Sequence, residues 1–155
     1  MVGRTRVVIA DDHALVRDGT REFLDREDDI EVIGEAADGE AAVTLAMELD
    51  PDVVIMDIGM PLLNGVEATR RIKQERPQTA VLVLTVHDED AYVFAVLEAG
   101  AAGYLLKDVP AGEVVRAVRA VRDGESVLHP VVTEKVLARF RGGATAAPSE
   151  AFDLS

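Results

Sequence analysis

The sequence predicts an α/β fold, a doubly wound parallel sheet with helices on both faces, and three observations predict it. Short β-branched runs alternate five times with longer stretches of helical periodicity, four of the five runs are almost continuously apolar, and acidic residues stand directly after the first and third of them. At 155 residues with a hydrophobic content of 48%, the chain can bury one core, so one compact domain with an appendage is expected.

The strand candidates are Arg6-Val7-Val8-Ile9-Ala10, Ile30–Ala36, Val53-Val54-Ile55-Met56, residues 80–84 and Gly103-Tyr104-Leu105-Leu106. Near-continuous apolar runs suit strands covered by helices on both sheet faces, which makes the sheet parallel. Ile30–Ala36 alternates more and reads as an edge strand. Between the strands, Leu15, Gly19 and Phe23 step by four, as do Ala41, Leu45 and Leu49, while Val114, Val118 and Val121 run i, i+4, i+7. Right-handed crossovers then leave few topologies, and the flavodoxin-like (βα)5 strand order 2-1-3-4-5 is the one expected.

A sixth helix is predicted over 130–141, with Pro130 in its first turn and Val132, Val136 and Phe140 as one apolar stripe packing back on the domain. The following Gly142-Gly143-Ala144-Thr145-Ala146-Ala147-Pro148-Ser149 has linker composition, and only Phe152 and Leu154 beyond it offer anything to bury. The expected organisation is therefore a domain over 1–125, a linker helix over 126–141 and a flexible linker over 142–155, with the chain ending at a domain boundary. The helix over Ala91-Tyr92-Val93-Phe94-Ala95-Val96-Leu97 is apolar nearly all round, which leaves a spare face for a partner or for cover by a neighbouring element.

Composition narrows the function. Sixteen Lys and Arg against 29 Asp and Glu give a formal charge of −13, the wrong sign for neutralising nucleic-acid phosphates, so this segment is not expected to bind DNA directly. There is no cysteine, no apolar run of membrane-spanning length and no charged-then-apolar leader. No membrane association and a cytoplasmic location are expected.

Asp11 and Asp12 follow the first strand and Asp57 follows the third, so all three stand at carboxyl ends of strands. In the expected order those strands are neighbours, roughly 4.8 Å apart, at the topological switch point. Three converging carboxylates repel one another, and a divalent ion removes the conflict. Mg²⁺, or Mn²⁺ in its place, suits such oxygen ligands and typically takes one or two carboxylates plus a phosphate. Thr85 and Lys107 end the fourth and fifth strands, where a hydroxyl and an ammonium could hold the oxygens of a transferring phosphoryl group. Singly, each residue has a plainer reading: Asp12 as a helix N-cap, Lys107 as a solvated lysine.

With those residues in place, the chain resembles the response-regulator receiver family over residues 5–123, and within it the NarL/FixJ branch with LuxR-type output. The resemblance rests on Val8-Ile9-Ala10-Asp11-Asp12-His13, Met56-Asp57-Ile58-Gly59-Met60-Pro61 leading to Asn64-Gly65, Val83-Leu84-Thr85, and Gly100-Ala101-Ala102-Gly103-Tyr104-Leu105-Leu106-Lys107-Asp108. It implies a signalling domain rather than an enzyme, phosphorylated on Asp57 by a sensor histidine kinase. By the same likeness, Asp12, Asp57 and the backbone carbonyl of Gly59 bind the metal, Asp11 supports it, and Thr85 and Lys107 contact the phosphoryl group. Tyr104 resembles the switch aromatic that turns inward when Thr85 moves. The likeness also makes the sixth helix a lead-in to a C-terminal helix-turn-helix domain that is absent here, and it makes a homodimer plausible.

Two positions that tune phosphate lifetime in the family hold Gly59 and His87, and Val86 is branched where a small residue is common, which would narrow access. His13 is expected to flank the acidic pair, His87 to lie in a loop and His129 to precede the sixth helix, none as phosphoryl donor. An aspartate-nucleophile phosphohydrolase would resemble Asp-x-Asp, whereas Asp57 is followed by Ile58-Gly59. A flavin module would want backbone donors where this chain has carboxylates. An idle receiver that serves only for docking is disfavoured by the complete set Asp11, Asp12, Asp57, Thr85 and Lys107.

Overall fold

Residues 3–143 are described by the computed structural model. The elements alternate as β1 (Thr5–Ala10), α1 (Ala14–Asp25), β2 (Ile30–Ala36), α2 (Gly39–Leu49), β3 (Val53–Met56), α3 (Gly65–Glu75), β4 (Ala80–Thr85), α4 (Asp90–Glu98), β5 (Gly103–Leu106), α5 (Ala111–Arg122), β6 (Val127–Leu128) and α6 (Pro130–Gly143). The strands form one sheet in the order β2-β1-β3-β4-β5-β6, and each neighbouring pair is parallel. The expected order 2-1-3-4-5 is present, and β2 is an edge strand as expected. β6 is an addition that the sequence reading did not contain; it extends the sheet past residue 125 on the β5 side.

Alternation along the strands sorts side chains onto two faces. Val7, Ile9, Val53, Ile55, Leu82 and Leu84 pack with Leu24 of α1 and Val114, Val118 and Val121 of α5. Val8, Ala10, Val54, Met56 and Val81 pack with Ala42 and Ala46 of α2 and Ala68 and Ile72 of α3. A third cluster joins Ile58, Val83 and Tyr104 to Val93 and Val96 of α4 and Val132 of α6.

The stripe expected on α1 is displaced. Leu15 is 85% exposed and Gly19 is also exposed; Thr20 and Leu24 are the buried positions, with Phe23 packed beside them. On α2 the small residues Ala42 and Ala46 are fully buried, and Leu45 and Leu49 flank them half-buried. Helix α6 runs to Gly143, beyond the expected 141. Its Val132 is fully buried and Val136 partly so, but Phe140 is 80% exposed and takes no part in the packing.

The spare apolar face of α4 meets α6. Val136, Phe94 and Leu97 pack against the same buried cluster, Arg139 lies over the Phe94 ring at 4.1 Å, and Lys135 Nζ is 2.7 Å from Asp90. The expected linker and the positions Phe152 and Leu154 lie, from residue 144 onward, outside the described residues. Among the described residues no helix is long and apolar enough to cross a membrane.

Candidate functional site

The site is assembled by register. Ala10 pairs with Met56, so β1 and β3 end together and release Asp11 and Asp57 side by side; Asp57 N–H donates to the Ala10 carbonyl at 2.9 Å and Asp11 N–H to Ala36 at 3.0 Å. Asp11 and Asp57 are each only 4% exposed. Asp12 is more open to solvent. The N-cap of α1 is His13, whose side chain makes no capping bond, so Asp12 is not the cap and its carboxylate is left to the cluster. One donor atom from each of Asp11, Asp12, His13 and Asp57 lies within 4.8 Å of the others.

Lys107 closes the cluster from across the sheet. β5 hands it over beside β4, its N–H donating to the Thr85 carbonyl at 2.9 Å. Its Nζ lies 2.7 Å from Asp11 Oδ2 and 3.2 Å from Asp57 Oδ2. Burial by itself would lower the pKa of this ammonium, but hydrogen bonds and charge from Asp11 and Asp57 outweigh that and hold it above its ordinary value. The donor set is hard oxygen, mostly buried and negatively charged, which fits a divalent cation. Among the described residues, Lys107 is the one ammonium paired with these carboxylates.

Thr85 is fully buried at the end of β4, and its Oγ1 accepts from His87 N–H at 3.3 Å. Tyr104 is fully buried in β5, and its hydroxyl donates to the His87 carbonyl at 2.5 Å. Burial, with negative charge from Glu89, Asp88 and Asp57 nearby, raises the phenol pKa. One backbone unit, that of His87, therefore links the two residues expected to form the switch. Gly59 lies in the turn after β3, and a Cβ added there would come within 2.9 Å of His87 Nε2. Val86 is 68% exposed at the rim. His129 stands at the start of α6 as expected, its Nδ1 accepting from Val131 N–H at 3.1 Å.

Several supporting residues escaped the sequence reading. Arg17 donates to the Asp11 carbonyl at 2.7 Å while its Nε reaches Glu35 at 3.1 Å, which ties the turn carrying the acidic pair to β2. Gly65 has to be glycine because an added Cβ would stand 2.0 Å from the Asp57 carbonyl oxygen; the Asn64-Gly65 pair in the sequence carried that signal. His13 flanks the acidic pair as expected, its Nδ1 3.1 Å from Asp12 Oδ1 and 3.4 Å from Asp11 Oδ1.

Comparison with known proteins agrees with this architecture. The chain is 45% identical over 138 residues to the transcriptional regulatory protein DegU of Brevibacillus brevis, covering 89% of this chain and 58% of DegU. It is 47% identical over 146 residues to the transcriptional regulatory protein LiaR of Bacillus subtilis, covering 94% of this chain and 69% of LiaR. The chain thus spans less than two thirds of DegU. Among solved structures, a LuxR-family two-component response regulator from Aurantimonas sp. SI85-9A1 superposes with a TM-score of 0.83 at 34% identity, covering 89% of this chain and 99% of that one. The receiver-domain pattern of response regulators matches residues 7–119, the stretch that carries Asp11, Asp12, Asp57, Thr85 and Lys107. On these grounds the chain belongs to the response regulator receiver domain family, as a phosphoryl-accepting signalling domain of the NarL/LuxR type.

Proposed function

We propose that Asp57 is the phosphoryl acceptor, and that a sensor histidine kinase supplies the group. The observation that carries the assignment is the position of Lys107, whose ammonium touches both Asp57 and Asp11 in a pocket where both carboxylates are buried. In the transfer, a carboxylate oxygen of Asp57 attacks phosphorus in line, the new O–P bond forms as the N–P bond of a phosphohistidine breaks, and the imidazole leaves. Asp57 Oδ1 accepts from Ile58 N–H at 2.7 Å and Oδ2 faces Lys107, so the nucleophile is oriented at both oxygens before any donor arrives. Asp12, Asp57 and the backbone carbonyl of Gly59 would hold Mg²⁺, or Mn²⁺, with Asp11 supporting. When bound, that ion neutralises charge building on the phosphoryl oxygens.

Phosphorylation places nearly two negative charges beside Lys107 and Thr85. The Thr85 hydroxyl can turn from His87 toward the new oxygens, a charge-assisted bond in exchange for a long neutral one. His87 then loses a tie at its N–H while its carbonyl still holds Tyr104. This is the switch reading of Thr85 and Tyr104: two residues coupled through one loop backbone. In the same reading residues 1–125 carry the receiver, 126–141 pass its state onward and 142–155 are linker toward an output segment. Transcriptional control, the activity named for DegU and LiaR, would be that output, and homodimerisation one way to deliver it.

Intact-mass spectrometry after incubation with acetyl phosphate and Mg²⁺, on the parent and on Asp57→Asn, tests the assignment. A Mg²⁺-dependent, hydroxylamine-sensitive gain of one phosphoryl group on the parent alone is expected. A folded parent that takes no phosphoryl group from acetyl phosphate or from a kinase would overturn it in favour of an idle docking module.

A further inference from the structure

The imidazole of His13 converges on the same carboxylates. Its Nδ1 lies 3.1 Å from Asp12 Oδ1 and 3.4 Å from Asp11 Oδ1. Around an octahedral ion with bonds of about 2.1 Å, adjacent donors stand roughly 3.0 Å apart and opposite donors roughly 4.2 Å. The His13 separations fall near the adjacent spacing, and one donor atom from each of the four residues lies within 4.8 Å of the others.

Two further facts leave the ring available. His13 caps α1 with its backbone alone, its side chain making no capping bond, and the side chain is 68% exposed, so it can turn without losing core packing. Lys107 and His13 also approach different oxygens of Asp11: the ammonium sits on Oδ2 and the imidazole faces Oδ1. The ammonium and the imidazole therefore do not share an oxygen, although Asp11 Oδ1 also accepts from the His13 backbone N–H at 2.9 Å.

A nitrogen donor changes which ion the pocket prefers. Mg²⁺ favours oxygen and keeps its waters, whereas imidazole suits Zn²⁺, Ni²⁺ and similar transition ions. We propose that His13 is a further metal ligand through Nδ1, giving this receiver a selective affinity for transition ions of the Zn²⁺ type over Mg²⁺. The proposal rests on the reading of Asp11, Asp12 and Asp57 as the cation site. It makes the phosphorylation pocket responsive to which divalent ion fills it, because an ion held by an extra protein ligand has one position fewer for a phosphoryl oxygen.

Calorimetric titration of metal-free protein with Mg²⁺, Mn²⁺ and Zn²⁺, for the parent and His13→Asn, tests this, together with proton NMR of the Co²⁺-loaded forms. Asparagine is itself a good N-cap, so the start of α1 is preserved; His13→Ser serves if that variant misfolds. The variant is expected to lose roughly 10- to 100-fold in Zn²⁺ affinity while Mg²⁺ affinity stays within about twofold, the scale on which ligand-shell changes act. A strongly shifted imidazole N–H resonance in the Co²⁺ parent should vanish with the substitution. Equal losses for Mg²⁺ and Zn²⁺, or no change for any ion, overturn the role of His13 while leaving the oxygen site standing. A parent that binds no Mg²⁺ at all overturns both.

Discussion

Lys107 pairs with two buried carboxylates, Asp11 and Asp57, which makes its contribution measurable. Replacing it with methionine leaves Asp11 and Asp57 facing each other, a loss on the order of 2 kcal/mol in metal-free buffer, below the full cost of stranding a deeply buried charge. Because the folded-state pKa of Lys107 is raised above 10.5, its stabilisation is complete below that value and disappears as pH climbs through the folded pKa. Urea denaturation of the parent and Lys107→Met at pH 8 and in steps above pH 10.5 should therefore show a gap that narrows as the pH rises. A gap that does not change with pH would assign the effect to packing of the lysine stem. The position of Lys107 was legible in the sequence because its place at a strand end, together with those of the aspartates, is set by register. That His13 flanks the acidic pair was legible too, but the direction of its ring was not, since it depends on a side-chain torsion at a helix start that no periodicity encodes.

Elements differ in how much of their packing the pattern reveals. The α5 stripe is deep in the core as its spacing indicates, with Val114, Val118 and Val121 all buried. The α1 spacing was misleading: Leu15 lies in the first turn, open to solvent at 85%, and the buried face begins one position later with Thr20, whose hydroxyl returns to the Val16 carbonyl at 3.0 Å. β6 has only two residues, too few for any period to register. Glycines separate two helices in the same way. Gly19→Ala in α1, where an added Cβ meets nothing within 4 Å, should stabilise by about 0.5–1 kcal/mol. Gly65→Ala at the start of α3 forces a methyl against the Asp57 carbonyl and should cost about 3 kcal/mol, with slowed phosphorylation in the mass assay. Thermal melts of the pair check both signs, and matching shifts would mean that α3 can slide away from the acceptor.

At the scale of the whole molecule, the charge of −13 sets the background. Self-repulsion of that size is expected to outweigh scattered surface ion pairs, each worth little. Raising NaCl from about 20 mM to about 500 mM, which shortens screening to a few ångströms, should move the urea midpoint upward at pH 8; a downward move would show that pairs such as Arg119 with Asp29 and Glu27 dominate instead. The architecture itself was largely readable, because five alternations of strand and helix admit few parallel arrangements. The cover of α4 by α6 was left open by the sequence, which marks both surfaces as apolar without saying that they meet.

The bond from Lys107 to Asp11 spans 96 positions of the chain. The first and third strands can therefore pair, and bring their carboxylates together, before the fifth strand has delivered the ammonium that reconciles them. Contacts so distant in sequence form late. A chain in which the fifth strand is not yet seated thus presents the acidic pair without its counter-charge, so the pocket is complete only when both ends of the alternating set are joined.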